Sequence, residues 1–208
     1  MTVRAVIFDL DGTLYDNSTL ACRIVFRSIF HLRLLYAERV CRHKMSGRYF
    51  GGKGETYRTF FKRMSLMSGK SEDKVAAWYW DVYLPLQISI LRKHMHKKSW
   101  VDSTLDDLRS RGIKLACFSE YSCVREKLLA IGVDPGKFDY IVDAPTAGGC
   151  KPCRKAFMYV AKKLDCYPAD ILMVGDREDT DGAGAESANM QFLLVPKEDT
   201  VSIELPIE

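Results

Sequence analysis

The sequence predicts an α/β protein in which helices flank a parallel sheet and a helical segment follows the first strand. Short apolar runs alternate with stretches of helical periodicity, the pattern of a parallel sheet covered by helices. The strongest of these runs are residues 3–10, 113–119 and 171–175. Residues 16–98 show helical periodicity without a comparable strand. We therefore expect one α/β core with an all-helical insert.

The elements of the core follow from these apolar patterns and from the residues that end them. The first strand stops at the turn sequence Asp11-Gly12-Thr13, and the last strand stops at Pro196. Gly112 and Gly132 each end a helical stretch, as glycine often does. In order, the predicted elements are strand 3–10, helix 103–112, strand 113–119, helix 122–131, strand 140–142, helix 153–164, strand 171–175, helix 180–188 and strand 192–195.

Helical periodicity in the insert is clear over residues 20–30 and weaker over residues 56–67. Ser71 begins a further helix, because its hydroxyl can cap the first turn and the two acids that follow suit the helix dipole. Pro85 should kink or end that helix. Glycines at residues 51–54 indicate a loop. We expect the aromatic residues of the third helix in the core of the insert: Trp78, Tyr79, Trp80 and Tyr83.

Composition argues against the membrane, secreted and fibrous classes of protein. The chain has 208 residues, of which 47% are hydrophobic and 28% charged, with a net charge of +4, which argues against disorder. It has neither a signal-peptide pattern nor the roughly 18 apolar residues that span a bilayer. The lack of such a stretch predicts no membrane partner. The seven cysteines are scattered, so we expect reduced thiols and a cytoplasmic location. Cys150 and Cys153 lack a second pair at metal-ligand spacing, which favours packed thiols.

The residues with the clearest chemistry are Asp9 and Asp11, which follow the first predicted strand. Open α/β sheets bind ligands at the carboxyl ends of their strands. Residues two apart in an extended chain point the same way, so both carboxylates can address one substrate. Such a pair suits covalent catalysis, with one carboxylate as nucleophile and the other moving a proton. An Asp-Gly turn at a strand end is the plain structural interpretation of the same residues.

Four short motifs, in order along the chain, together resemble those of the haloacid dehalogenase-like superfamily. The first is Asp9-Leu10-Asp11-Gly12-Thr13, which is similar to the Asp-x-Asp-Gly-Thr of phosphatase members. The second is Ser119 at a strand end, and the third is Lys151 followed by proline before a helix. The fourth is Gly175-Asp176 with a second acid at Asp181. The resemblance covers the whole core and implies a Rossmann-like sheet with a cap after the first strand.

The resemblance also implies a role for each matched residue. Asp9 corresponds to the nucleophile that takes up the phosphoryl group, and Asp11 corresponds to the general acid and base. The phosphoryl oxygens would be contacted by Ser119, the backbone N–H of Glu120 and Lys151. Glu120 departs from the Asn that is common at its position, which bears on substrate preference. A Mg²⁺ ion would be held by Asp9, the backbone region of Leu10 or Asp11, Asp176 and Asp181, with Asp179 as an alternative to Asp181.

Residues 16–98 correspond in size and position to the cap of that family. We therefore predict a catalytic core of residues 1–15 and 99–208 and a helical cap of residues 16–98. Such caps close over the site, exclude water and contribute residues that face the substrate. For Asp16, capping of the first insert helix is the preferred interpretation. The candidate substrate contacts are Tyr15, Asp16, Asn17, Arg48 and Lys53.

The predicted function is Mg²⁺-dependent hydrolysis of a small phosphorylated metabolite through an aspartyl phosphate. Asp11 favours phosphate-ester chemistry, because the dehalogenases of the superfamily lack an acid at that position. One alternative is a phosphomutase that uses the same acid pair. Another is a regulatory or nucleic-acid-associated protein that acts through its basic insert, although the complete catalytic set makes nucleic acid an unexpected partner. The sequence does not predict the oligomeric state.

Charge divides unevenly between the two predicted parts. Residues 16–98 contain 17 Lys and Arg against 6 Asp and Glu, whereas the rest of the chain contains 14 against 21. A basic cap can steer an anionic substrate toward an acidic metal site. A solvated basic helix surface explains the same charges equally well.

Overall fold

The structure, a computed structural model, describes residues 3–200 and 202–206, so residues 1, 2, 201, 207 and 208 of the predicted core lie outside this description. Its centre is a sheet of five strands, which are β1 (Ala5–Phe8), β2 (Lys114–Ser119), β3 (Tyr140–Asp143), β4 (Ile171–Gly175) and β5 (Gln191–Leu194). The strands are parallel and lie in the order β3-β2-β1-β4-β5. The predicted α/β class is confirmed.

The central strand β1 is apolar on both faces. Val6 and Phe8 belong to one buried cluster, and Ala5 and Ile7 belong to another. Alternate residues of a strand point to opposite faces, so the two clusters pack on opposite sides of the sheet. A strand without a polar face needs cover on both sides, as is typical of parallel sheets. Because β1 lies between β2 and β4, the carboxyl ends of these three strands meet at one edge.

The segment between β1 and β2 is helical, as predicted. The helices over residues 20–30 and 56–67 were expected, whereas α2 was not, because charged residues interrupt its apolar pattern. Its buried face includes Glu38, which accepts a hydrogen bond from the Arg42 guanidinium one turn later. That pairing lets an acidic side chain occupy an interior position. The helices are α1 (Leu20–Arg27), α2 (Leu32–Met45), α3 (Lys53–Ser68), α4 (Glu72–Ala77) and α5 (Leu84–His94).

The chain stays helical from α4 to α5 through a π-helical turn at Trp78–Tyr83. Pro85 does not end the helix and lies at the start of α5, directly after the π-helical turn. Ser71 holds the N-cap position of α4, so the predicted helix start is confirmed, although its side chain makes no capping hydrogen bond. The acidic first turn of α4 suits the helix dipole without it. The predicted aromatic core is confirmed for Trp78, Tyr79 and Tyr83, whereas Trp80 is exposed.

The helices after α5 overlap the predicted ones in the same order. The last of them is shorter than expected, because the residues before it form a π-helical turn at Glu178–Gly182. This turn follows β4 directly and brings its acidic residues to the edge of the sheet where β1 ends. The four helices are α6 (Val101–Ser110), α7 (Val124–Ala130), α8 (Arg154–Leu164) and α9 (Ala183–Ser187).

Two chain segments meet where the predicted insert begins and ends. The backbone N–H of Lys98 donates to the carbonyl of Leu14 at 2.8 Å, and Tyr15 and Lys97 form an antiparallel bridge. The buried Lys98 ammonium donates to the carbonyl oxygens of Gly12 and Pro196 at 3.2 and 2.8 Å. The boundaries at residues 16 and 98 stay a prediction, and the two connections lie side by side there.

The seven cysteines are all free thiols. Cys150 and Cys153 are both buried, which agrees with packed thiols. Burial raises the pKa of Cys150, and the nearby Glu120 carboxylate raises it further, so this side chain stays protonated at neutral pH. Across the described ranges, the helices are too short or too polar to cross a membrane.

Candidate active site

The predicted site residues converge at the carboxyl edge of the sheet. Asp9 directly follows β1, Ser119 is the last residue of β2, and Asp176 directly follows β4. Lys151 lies in the loop before α8, and Asp181 lies in the π-helical turn after β4. Residues that are distant in the chain are thus brought together by the order of the strands.

Asp9 is held by hydrogen bonds to both carboxylate oxygens. The Lys151 ammonium donates to Asp9 Oδ1 at 2.7 Å, and the Thr13 hydroxyl donates to Asp9 Oδ2 at 3.0 Å. Lys151 Nζ also donates to Asp181 Oδ1 at 2.8 Å. The lysine is buried, and its Nζ lies 4.7 Å from the centroid of the Phe118 ring. One buried cation therefore orients two of the acidic side chains.

Asp9, Asp176 and Asp181 form a group that we call the acidic triad. One carboxylate oxygen from each lies within 4.8 Å of the others. Burial raises the pKa of Asp9 to about 7, although Lys151 opposes this shift. Burial and the charge of Asp9 raise the pKa of Asp176 to about 6. Lys151 brings one positive charge to three carboxylates, so the triad fits a hard divalent cation with oxygen ligands.

Two predicted metal-site candidates lie outside the triad. Asp179 pairs with Arg177 at the surface, with 2.6 Å between Oδ2 and Nη2. The π-helical turn therefore directs Asp181, and not Asp179, into the site. The carboxylate of Asp11 pairs with a different lysine, Lys127. Only the backbone region of Asp11 therefore stays a predicted metal contact.

Two motif glycines let residues of the acidic triad pack closely against the backbone. A Cβ atom at Gly12 would lie 2.3 Å from Asp176 Oδ2, and the φ of Gly12 is +105°. A Cβ atom at Gly175 would lie 2.6 Å from the Cβ of Asp181. Both distances are shorter than real carbon contacts, so glycine is needed for packing at each position and for backbone conformation at Gly12.

Asp11 is fixed by three donors. Its Oδ1 accepts from the Tyr15 hydroxyl at 2.6 Å, and its Oδ2 accepts from the Ser119 hydroxyl at 2.9 Å. The Lys127 ammonium donates to both oxygens, at 3.1 and 3.2 Å. Burial disfavours the charged carboxylate, but Lys127 and the two hydroxyls outweigh burial and hold the pKa of Asp11 below its usual value. Asp11 is therefore ionised in this arrangement.

Lys127 is a site residue that was not predicted. It comes from α7, and its side chain is 2% exposed. The ring of Tyr121 faces its ammonium, with 4.8 Å between Nζ and the ring centroid. One signal was present in the sequence, because Lys127 lies three residues after Val124 and four before Ile131, on the apolar face of the helix. A lysine at such a position needs a buried acidic partner.

Glu120 directs its carboxylate at the loop before α8. Its Oε2 accepts from the backbone N–H of Lys151 at 2.9 Å. Burial raises the pKa of Glu120, whereas Arg42 lowers it. Arg42 belongs to α2 of the insert, and its guanidinium lies 4.3 Å from the centroid of the Tyr121 ring. The unusual acid after Ser119 therefore supports the Lys151 backbone and faces a cation from the insert.

The loop between α2 and α3 also contacts the loop before α8. The backbone N–H of Phe50 donates to the carbonyl of Gly148 at 2.7 Å, and that of Cys150 donates to the carbonyl of Arg48 at 3.0 Å. The Ser46 hydroxyl donates to the carbonyl of Lys151 at 3.0 Å. Through these bonds the insert rests on the segment that carries Lys151.

Three other candidate substrate contacts have structural partners. Tyr15 is buried against Asp11, and Lys53 Nζ lies 3.9 Å from Asp143 Oδ2. Asp16 accepts from the backbone N–H and the hydroxyl of Ser18, at 2.8 and 2.9 Å. The N-cap of α1 is Thr19, so the interpretation of Asp16 as its cap was wrong. The short turn satisfies the Asp16 carboxylate before the helix begins.

A family model described as haloacid dehalogenase-like hydrolase matches residues 3–189. The chain belongs to this family. The first four strands lie within the match, as do the acidic triad and Asp11. The resemblance that rested on four short motifs is therefore confirmed.

Curated relatives of this haloacid dehalogenase-like hydrolase are phosphatases. A glyceraldehyde 3-phosphate phosphatase of Methanothermobacter thermautotrophicus is 28% identical, over 94% of this chain and 87% of the relative. A phosphoglycolate phosphatase of Aquifex aeolicus is 28% identical, over 93% of this chain and 85% of the relative. A β-phosphoglucomutase structure from Clostridium difficile shares the fold, with a TM-score of 0.63 at 21% identity over 94% of this chain and 85% of that one. The predicted enzyme class, a hydrolase of phosphoric monoesters, is confirmed.

Proposed function

We propose that this hydrolase is a Mg²⁺-dependent phosphatase that cleaves a small phosphate monoester through an aspartyl phosphate on Asp9. The observation that carries the proposal is the position of Asp9 at the end of the central strand, where Lys151 and Thr13 hold its carboxylate. The substrates in the relatives' names, glyceraldehyde 3-phosphate and phosphoglycolate, support a compact organic phosphate as the substrate class.

Asp9 is the proposed nucleophile. One of its oxygens forms a bond to phosphorus while the bond between phosphorus and the leaving alcohol breaks. Lys151, 2.7 Å from Asp9 Oδ1, keeps the carboxylate in place and offsets its repulsion of the anionic phosphoryl group. Ser119 and the backbone N–H of Glu120 are the proposed further phosphoryl contacts. Ser119 can serve in this way once it has released Asp11.

Asp11 is the proposed acid and base. Its ionised state suits removal of a proton from the water that attacks the aspartyl phosphate. That attack breaks the bond between Asp9 and phosphorus, releases inorganic phosphate and leaves the proton on Asp11. The same proton then passes to the alcohol that leaves in the next turnover, so protons balance over the cycle. Since Lys127 disfavours protonated Asp11, the carboxyl group must move away from Lys127 to hold this proton.

The acidic triad is the proposed metal site. Asp9, Asp176 and Asp181 would supply carboxylate oxygens, and the backbone region of Asp11 would complete the protein ligands. Bound Mg²⁺ would supply positive charge beside the transferring phosphoryl oxygens. Support comes from the charge balance, in which three carboxylates crowd within 4.8 Å around one lysine.

Residues 16–98 are the proposed cap. Its loop between α2 and α3 rests on the loop that carries Lys151, through the hydrogen bonds of Ser46, Arg48 and Phe50. Substrate entry then requires these contacts to open and close. The excess of basic residues in this segment, 17 against 6 acidic ones, would attract an anionic substrate to the cleft.

The test is a panel of small phosphate monoesters that includes both named substrates, assayed with Mg²⁺ and with a chelator. We expect release of inorganic phosphate that needs the metal and that falls at least about a thousandfold in Asp9→Asn. Asp179→Asn is the matched control, because this carboxylate lies outside the triad, and it should retain activity. Substantial turnover by Asp9→Asn would exclude Asp9 as the nucleophile. Full activity in the chelator would exclude the metal assignment.

A further inference from the structure

An exposed apolar patch covers the start of the insert. Among the described residues, six of the thirteen exposed large apolar side chains fall between residues 25 and 36. Phe26 and Phe30 are 84% and 96% exposed, so they project from the surface. We call this group the apolar patch, and its members are Val25, Phe26, Ile29, Phe30, Leu32 and Tyr36.

The apolar patch includes the apolar face of α1, and this face points to solvent and not to the core. Cys22, Val25, Phe26 and Ile29 have the spacing of one helix face, and each of them is exposed. In α1 the buried residue is Ile24. A helix face of this kind normally packs on a core, and its exposure indicates that something else covers it.

The apolar patch is accompanied by arginines that lack acidic partners. Arg23, Arg27, Arg33 and Arg39 form no ion pair within the described part of the chain. No Asp or Glu occurs between Asp16 and Glu38. The surface is therefore both apolar and strongly positive, so its charge complement is an anionic surface.

We propose that the apolar patch docks on an anionic phospholipid surface. Phe26, Ile29 and Phe30 would enter the boundary between headgroups and acyl chains, while the arginines contact the phosphates. Phe30 lies in the turn between α1 and α2 and projects outward, which suits a fluid surface that needs no matching groove. Docking of this kind requires no membrane-spanning helix. A second copy of the chain is disfavoured, because a symmetric contact would bring the unpaired arginines together.

The test is co-sedimentation of the full chain with vesicles of phosphatidylcholine, with and without phosphatidylserine. We expect binding that needs phosphatidylserine and weakens between about 0.1 and 0.5 M salt, because screening reduces the attraction of the arginines. The variant Phe26→Ser/Phe30→Ser should lose at least about tenfold in partition coefficient, because two large apolar side chains no longer enter the lipid. Leu66→Ser is the matched control, since Leu66 is 77% exposed on α3 of the same insert, and it should bind as the wild type does.

Four outcomes decide the proposal. Loss of vesicle binding in the double variant, with unchanged turnover of a soluble phosphate ester, supports it. Absence of binding to phosphatidylserine vesicles overturns it, as does equal binding by the double variant. A wild-type dimer that the double variant dissociates, without vesicle binding, also overturns it and assigns the apolar patch to a second copy.

Discussion

The Lys127 ammonium donates to both carboxylate oxygens of Asp11, at 3.1 and 3.2 Å, and the lysine side chain is almost wholly buried. The pair joins α7 to the segment after β1, and Tyr15 and Ser119 occupy the remaining acceptor positions of the carboxylate. An ionised Asp11 is thereby held in one orientation. The structure thus describes the proposed acid and base in a state that cannot yet protonate a leaving group.

Replacing Lys127 with methionine should destabilise the fold by about 3 kcal/mol, because a buried carboxylate loses its partner. Adding Asp11→Asn to this variant should recover a large part of the loss, since the uncompensated charge is then removed. Urea unfolding of the wild type, both single variants and the double variant measures the coupling. Lys162→Met, at an exposed position on α8, should stay within about 0.5 kcal/mol of the wild type. Additive losses in the double variant would contradict the pairing.

Asp11→Asn should slow breakdown of the aspartyl phosphate more than its formation when the leaving group is good. With 4-nitrophenyl phosphate we expect a burst of nitrophenol equal to the enzyme present, followed by turnover about a hundredfold to ten-thousandfold slower than that of the wild type. Acid quenching should trap labelled phosphate on the variant. Asp9→Asn serves as the control and should show neither burst nor label. A burst-free Asp11→Asn without trapped label would argue that Asp11 does not act in the second step.

Gly175→Ala should lower kcat about a hundredfold while the protein still folds. The new Cβ would lie 2.6 Å from the Cβ of Asp181, so the acidic side chain must move away from Lys151 and Asp9. Gly54→Ala is the matched control, because a Cβ there meets nothing within 4 Å. Steady-state kinetics and circular dichroism of the two variants make the comparison. Unchanged kcat in Gly175→Ala would show that the exact position of Asp181 does not matter.

Mg²⁺ should raise the melting temperature by about 5 °C at saturating concentration, since it binds the folded acidic triad. The shift should be larger at pH 8 than at pH 5.5. The pKa values of Asp9 and Asp176 rise to about 7 and about 6 in the folded chain. Without metal, their contribution to stability is therefore present at low pH and is lost as pH rises through those values. Mg²⁺ offsets this loss at pH 8, so its effect is larger there. Differential scanning calorimetry at both pH values checks this, and equal shifts would contradict it.

Asp176→Asn provides an independent test of the same charge balance. Without metal at pH 8 this variant should melt above the wild type, because one of three crowded carboxylates is neutral. With Mg²⁺ its melting temperature should rise less than that of the wild type. Asp170→Asn, a partly exposed carboxylate before β4, is the control and should keep the full shift. A full Mg²⁺ shift in Asp176→Asn would remove this residue from the metal site.

Local patterns in the sequence were sufficient for the α/β class and the order of the core elements. An apolar strand such as β1 requires cover on both faces whatever its neighbours are, so its pattern can be interpreted from its own residues. The four motifs likewise lie within short segments, and they indicated the family before any contact was known. The helix α2 was missed, because its buried Glu38 depends on a partner that no apolar pattern reveals.

Contacts between distant segments were decided by the tertiary structure. The pairing of Lys127 with Asp11 joins residues 116 positions apart, and the π-helical turn after β4 selects Asp181 over Asp179 for the acidic triad. The helical face that includes Phe26 has apolar residues at helical spacing, yet the structure leaves it exposed. Residue types and their spacing determine which chemistry the chain carries. Which charges meet, and which apolar face stays outside, depends on how the strands and helices pack, because a buried group is stable only beside its partner.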